Sequence, residues 1–432
     1  MAASLRRRLS VWQVSIAGIG VILGAGVYAL IGPASAQAGN ALWLSFLLAG
    51  VTAGLTAYAY ARLARLAPRN SPEFQYTALA FGPRLGFVAG ALMLVADVLA
   101  AAAVTIGFGG YLRHLAGTPV TANALGLIVV LGLILCSRVE RSMAVAIVLT
   151  SLEALGLVFV IVVGVPFWAG TDYLAMPHGL TGVSGAAALI FFAYLGFDEL
   201  GNFAEEMRRP ERDLPRALFV AMAATTAIYI LVAFSAVAVV DVARLGASDA
   251  PLALVAGKVL GGRADTGLTI LALAATANTV LLLLAAAARS IYGMAAAGVL
   301  PRRLAHVGRR TAIPVTSTLL VLALLAVLVA IGTLKQVAAM TDAVVLVAFL
   351  IVNASLLRLA TRRATPARGG TRVAEILIPV LASLLCIWLL LHAGVASVIA
   401  ALGLAVVMLA VAAASRAFAT SWAPARDDMR AR

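Results

Sequence analysis

Apolar residues run in long blocks along this chain, and polar and charged residues gather between the blocks. A helix that crosses a bilayer needs about 20 consecutive apolar residues. Blocks of that order lie near 12–32, 39–61, 85–112, 121–137, 143–168, 184–204, 216–240, 265–288, 314–332, 336–357, 373–391 and 394–415. The block at 121–137 is short and takes its status from its neighbours. The longest polar segments, 62–84, 205–215, 241–264, 301–313 and 358–372, read as loops or short surface helices. With no low-complexity tail or soluble domain visible, 1–432 reads as a single transmembrane domain. The pattern predicts an all-α integral membrane protein with about 12 transmembrane helices.

Two blocks are interrupted. Small residues, Gly24-Ala25-Gly26, sit in the middle of the first, and the run from Ala187 to Ala204 has the same character around Phe192–Gly196. Lipid offers a backbone no hydrogen-bond partners, so loosened backbone at membrane depth survives only where it is buried in protein or lines a cavity. Paired interruptions in two halves of a chain point to a transporter's substrate site. They predict a 5+5 inverted repeat, with 12–168 as the first copy, 184–357 as the second, and two additional helices over 373–415.

Composition agrees with the pattern. The chain is 63% hydrophobic and 12% charged, with a mean hydropathy of +1.05, whereas soluble domains carry about 25% charged residues. The net charge of +14 invites a nucleic-acid reading, but its distribution argues otherwise. With both termini inside, only Arg113, Arg244, Lys258, Arg263 and Lys335 of the 32 Lys and Arg lie outside. That bias recurs loop after loop, as the positive-inside rule requires, and no nucleic-acid partner is expected. Cys136 and Cys386 form no disulfide or metal pattern and read as apolar filler. Arg6-Arg7-Arg8, an apolar stretch and Ala34-Ser-Ala36 imitate a cleaved signal. The apolar core is longer than the 7–15 residues of a signal, and an uncleaved first span is expected.

At its interruptions the chain resembles the amino acid permeases of the amino acid–polyamine–organocation (APC) superfamily, near the cationic amino acid transporter branch. Three stretches carry the likeness: Gly18-Ile-Gly-Val-Ile-Leu-Gly-Ala-Gly-Val-Tyr28; Phe191-Phe-Ala-Tyr-Leu-Gly-Phe-Asp198 with Ala204-Glu-Glu206, Pro210, Arg212 and Pro215; and Arg289-Ser-Ile-Tyr-Gly-Met-Ala295 with Gly298, Leu300-Pro301 and Pro314. The resemblance implies the leucine-transporter-type fold, with discontinuous helices 1 and 6 and substrate between spans 1, 3, 6 and 8. Two departures stand out. Ala25 replaces a serine common in relatives, and Pro68–Tyr76 lacks the usual Gly-Ser-x-Tyr pattern.

An amino acid brings a carboxylate and an ammonium. A helix N-terminus offers free N–H groups and partial positive charge, so amides near Gly24, Ala25 and Gly26 suit the carboxylate. The first half of span 6 is expected to end near Phe192 to Tyr194, and its carbonyls with that of Ile22 suit the ammonium; Phe191, Ala193 and Gly196 fall in the same binding stretch. The alternative is that these glycines serve close helix packing, the preferred reading for Gly18 and Gly20. Asn278 and Thr279 of span 8 and Thr105 of span 3 either contact substrate or bond between helices. Phe192 and Tyr194 either close the pocket as a gate or pack in the core.

Five acids fall within spans: Asp97, Glu153, Asp198, Glu199 and Asp342. An ionised carboxylate in the membrane is costly and marks a functional position. The segment Thr150–Phe159 resembles a stretch in which relatives often carry a lysine, and Glu153 stands there instead. It either carries a coupling proton, binds sodium, or anchors a backbone amide. Asp198 is expected to hold the sixth-span break, with direct contact to a cationic substrate side chain as the alternative; Asp97 and Asp342 cap interfaces or line an aqueous route. No cofactor is expected, and the coupling ion is a proton or sodium.

The resulting expectation is a proton-coupled secondary active amino acid transporter working by alternating access; metal or nucleophilic catalysis is not expected, since His114, His178, His306 and His392 do not cluster and no hydrolase or phosphate-binding motif is present. A sodium-coupled or exchange carrier and a non-transporting sensor or channel remain as alternatives. Small neutral and cationic amino acids both stay open as substrates. A single chain in a lipid bilayer suffices for the cycle, and the arginine-heavy sequence suggests a bacterial inner membrane.

Overall fold

The computed structural model describes residues 10–66, 72–136, 142–198, 200, 207, 209–296, 300–306, 314–362 and 369–414. Glu199, Glu205, Glu206 and Gly298 lie outside the described residues, as does the side chain of Cys136. All regular structure among the described residues that builds the bundle is helical. Over the first expected span lie α1 (Val11–Ile22) and α2 (Gly26–Ala38), followed by α3 (Leu42–Leu63), the short α4 (Pro72–Phe81), α5 (Pro83–Ala116), α6 (Val120–Cys136) and α7 (Ser142–Gly164). The second half holds α8 (Gly179–Ile190), a tight turn over Phe191–Tyr194, α9 (Pro210–Val239), two short helices α10 (Val242–Gly246) and α11 (Pro251–Leu260), α12 (Gly262–Ala296), α13 (Val315–Ile331) and α14 (Leu334–Arg362). Two further helices follow, α15 (Gly369–His392) and α16 (Val395–Ala414).

Eight helical stretches among the described residues are long and apolar enough to cross a membrane, and five shorter apolar helices accompany them. Several helices outrun their apolar blocks. The block at 85–112 becomes α5, 83–116, and that at 336–357 becomes α14, 334–362. Helical hydrogen bonding continues into polar ends that water can solvate, so hydropathy marks the lipid-matched part and misses the rest. The start of α5 is sharp because Gly82 takes φ +99 and Pro83 sits in the first turn, where its missing N–H costs nothing.

Ser10 opens α1 with a capping box: its hydroxyl accepts the Gln13 amide while the Gln13 side chain takes the Ser10 amide. Small residues set the packing deeper in. Ala100, Ala101, Ala102 and Ala103 of α5 are all buried, and such residues let membrane helices approach closely. Large apolar side chains such as Val162, Ile331, Leu391 and Ile399 are exposed instead, which suits a surface solvated by lipid.

The two halves meet element by element: α2 packs on α8, α3 on α9, α5 on α12, and α6 on α13. The cross-contacts run in the same manner. α1 lies against α9 as α8 lies against α3, and α7 packs on α12 and α9 as α14 packs on α5 and α3.

The ends of the bundle differ. At one end a cavity of about 740 Å³ is lined by α2, α5, α10 and the start of α14, with Gln37, His178, Asp249 and Lys335 on its wall. At the other end the Tyr60 ring meets Tyr76, Phe197 and Phe349 at 5.8, 5.6 and 5.6 Å. There the buried Tyr60 hydroxyl donates to Glu73 Oε1 at 2.9 Å, Arg62 pairs with Glu375, and Arg358 stacks over Phe81 at 4.6 Å. Tyr60→Phe removes one hydrogen bond of about 1 kcal/mol, a factor of about five in an opening equilibrium. In a background without other cysteines, thiol labelling of Ala64→Cys at this end should speed up about fivefold in the Tyr60→Phe variant. An unchanged labelling rate would show that this contact does not hold the end closed.

Candidate functional site

Leu23, Gly24 and Ala25 separate α1 from α2. Leu23 closes α1 through its amide to the Ile19 carbonyl, and no side chain caps the start of α2. The first amides of α2 therefore lack intrahelical partners, as at any helix start. Opposite them, α8 gives way to the turn over Phe191–Tyr194 and then to Leu195, which is extended.

These two places touch. A Cβ on Gly26 would lie 2.9 Å from Ala193 Cα and 3.0 Å from Phe192 Cδ1, so only glycine lets α2 begin here. Gly196 adopts φ +106, its amide donates to Asp198 Oδ1 at 3.1 Å, and a Cβ there would lie 2.9 Å from Val21 Cγ1. Gly24 is roomier, with Thr279 Oγ1 3.8 Å from the position of a Cβ. Gly18 is a packing position, since a Cβ would strike Leu200.

One side chain joins both breaks. The Tyr229 hydroxyl, on α9, donates to the Ile22 carbonyl at 2.7 Å and to the Ala193 carbonyl at 2.9 Å. It carries a single proton, so the two carbonyls share it, and both face one point in space. Tyr229 is fully buried, with Phe46 and Tyr194 rings 5.4 and 5.3 Å away. Sequence reasoning missed it, because a tyrosine inside an apolar block gives no signal of what its hydroxyl reaches.

Other expected residues sort themselves by their bonds. Tyr194 donates its hydroxyl to the Phe46 carbonyl at 2.8 Å and so ties the turn to α3. Phe191 packs edge-on against Phe349 at 6.1 Å, and Phe192 is buried beside Gly26. Thr105 donates to Ala101 of its own helix at 2.6 Å, not to a neighbour. Asn278 is buried on α12 next to Thr279.

Glu153 lies on α7, only 2% exposed, with Oε1 lacking any hydrogen-bond partner among the described residues. Its backbone carbonyl accepts the Tyr28 hydroxyl at 2.7 Å, and the Tyr28 carbonyl accepts the Tyr111 hydroxyl at 3.0 Å. A chain of bonds thus links α7, the first turn of α2, and α5. The cavity reaches Ala29, Ile106 and Gly107. Ala29 is three residues past Gly26, about 4.5 Å along the helix. Ile22, Ala25, Gly26, Ala193 and Tyr194 are all buried and do not line it.

The family profile described as "Amino acid permease" matches residues 9–424. The chain is 31% identical over 379 residues to "Cationic amino acid transporter 4, vacuolar" of Arabidopsis thaliana, covering 82% of this chain and 63% of that protein. It therefore spans less than two thirds of the plant transporter's length. It is 27% identical to "Branched-chain amino acid permease BcaP" of Bacillus subtilis (strain 168), covering 90% of this chain and 89% of the relative. It is 28% identical to the "Methylthioribose transporter" of the same organism, covering 89% and 88%. Similarity at this level spreads over differently named transporters and does not single out the cationic branch that the motifs suggested. The chain belongs to the amino acid permease family of the APC superfamily, a family of membrane transporters and not of enzymes.

Proposed function

We propose that this protein is a secondary active transporter of α-amino acids, working by alternating access on a 5+5 inverted repeat with both termini cytoplasmic. The observation that carries the reading is the convergence of the Ile22 and Ala193 carbonyls on one hydroxyl, within 2.9 Å. Two carbonyls aimed at one point form a receptor for an ammonium, and the open amides at the start of α2 form one for a carboxylate. The Tyr229 hydroxyl holds the carbonyls in place, and the ammonium takes over its role on binding. The pairing of α2 with α8, α3 with α9, α5 with α12 and α6 with α13 supports the repeat.

The unequal ends support alternating access. The cavity lies about one helical turn from Gly26 on one side, and the aromatic cluster around Tyr60 fills the other. Swapping which end is open carries the substrate across. Glu153 is our candidate for coupling, as a buried carboxyl on the helix bonded to Tyr28; protonated it is neutral and tolerable in the membrane, ionised it demands water or a partner.

Counterflow in proteoliposomes tests the transport reading: a carrier exchanges labelled amino acid against an unlabelled internal pool. Blocking the ligand's α-amino or α-carboxyl group should remove competition. Competition that survives both blocks would refute the site. A thermal-shift screen of the common amino acids then sets the side-chain class, because a specific ligand stabilises the fold that binds it. Tyr229→Phe leaves two carbonyls without their donor. It should weaken apparent amino acid affinity about fivefold to tenfold with the fold retained, about 1–1.4 kcal/mol. Wild-type affinity in that variant would remove Tyr229 from the site.

A further inference from the structure

Resting on that reading of coupled transport, we propose that Asp342 on α14 carries a second coupling proton, as the counterpart in the second half of Glu153 on α7. Among the described residues, only these two side chains have buried carboxylate oxygens with no hydrogen-bond partner. Asp342 is 0% exposed and leaves both oxygens unbonded. Their helices occupy matching places, since α7 packs on α12 and α9 while α14 packs on α5 and α3.

The face of α14 supplies the route. Lys335, Asp342 and Phe349 are spaced by seven residues, which returns to nearly the same side of a helix after about 10 Å. Lys335 lines the cavity, and Phe349 packs on Phe191 and on Tyr60. Asp342 therefore stands between the water-accessible cavity and the turn that holds the Ala193 carbonyl. Charged groups on the neighbouring helices are spent elsewhere. Tyr60 bonds Glu73 and Arg62 pairs with Glu375 at the far end; Arg113 and His114 of α5 pair with Asp249 and Asp265; Asp97 of α5 is engaged as well. On α15, His392 bonds the Trp388 carbonyl and Cys386 sits against Thr56. None of these side chains bonds either Asp342 oxygen. Unpartnered carboxylate charge is costly at membrane depth, so the carboxyl is buried with its proton. It takes that proton from water on the cavity side and returns it to water when the other end of the bundle opens. The carboxylic acid and the carboxylate are the only two species involved.

The test uses the full chain in proteoliposomes, with radiolabelled L-leucine and L-arginine as probes. Wild type, Asp342→Asn and Asp342→Glu are compared for exchange at equal pH and for accumulation driven by an inward proton gradient. Asp342→Asn, which imitates the neutral acid, should keep exchange within about threefold and lose about tenfold or more of gradient-driven accumulation. Asp342→Glu should keep accumulation with a displaced pH midpoint. An Asn variant that accumulates substrate with the wild-type pH profile overturns the proposal. So does loss of exchange and accumulation together in a folded Asn variant, which would make Asp342 a substrate contact. Should the Asn variant fail to fold, a wild-type pH midpoint in Asp342→Glu overturns it equally. Wild type that exchanges substrate yet ignores the proton gradient would end proton coupling altogether. Wild type and Asp342→Asn coupled alike would end only this inference.

Discussion

Gly26→Ala is expected to insert and fold but to lose most transport. The new methyl group would lie 2.9 Å from Ala193 Cα and 3.0 Å from Phe192 Cδ1. The nearer contact is backbone, which cannot swing aside as a long side chain can, so α2 and the turn over Phe191–Tyr194 must separate. Overpacking of this kind costs about 1–3 kcal/mol, or about fivefold to 150-fold in affinity when it falls on the bound state. The loss is concentrated in function because the same separation pulls Ile22 and Ala193 out of register with Tyr229. Gly24→Ala is the matched control. Its methyl group meets nothing closer than the Val21 carbonyl at 3.7 Å, and its thermal stability should stay within about 0.5 kcal/mol of wild type. Binding by scintillation proximity and thermal unfolding of the two variants check the pair. Equal behaviour of the two would show that closeness at Gly26 is not what the site needs.

Glu153→Gln should weaken the coupling of uptake to the proton gradient. Gln is close to isosteric with protonated Glu and cannot release a proton, so the variant is held in the neutral form. Uptake by wild type should rise as the outside is made more acidic than the inside; in the variant that rise should be shallower, with only the Asp342 proton left to couple, and accumulation should fall about tenfold or more. Exchange at equal pH should persist, because the bond from Tyr28 goes to the Glu153 backbone carbonyl and survives the substitution. Flux under imposed proton and sodium gradients separates the two coupling ions. A variant with the wild-type pH profile would return Glu153 to a purely structural role.

The part of the candidate site that was legible in the sequence consists of backbone features. Glycines in the middle of an apolar block stand out in a sequence, and both expected interruptions fall where α1 gives way to α2 and α8 to a turn. Asp198 was similarly readable, since an acid two residues after a glycine is placed to take its amide, as it does at 3.1 Å. The contribution of Tyr229 was invisible, because it comes from α9 and reaches Ile22 across 207 positions of chain. Thr105 carried a polar signal, and its hydroxyl bonds its own backbone at Ala101, as a threonine in an apolar helix commonly does.

Hydrophobic pattern alone determined that this is a helical membrane protein, because lipid tolerates only backbones that bond to themselves. It also marked where those helices loosen. Which groups meet at the loosened places was decided by the tertiary packing of α2 on α8, α3 on α9 and α7 on α12. Apolar blocks look alike to one another in sequence, and the partner of each is chosen by shape and by a few buried hydrogen bonds between residues far apart in the chain.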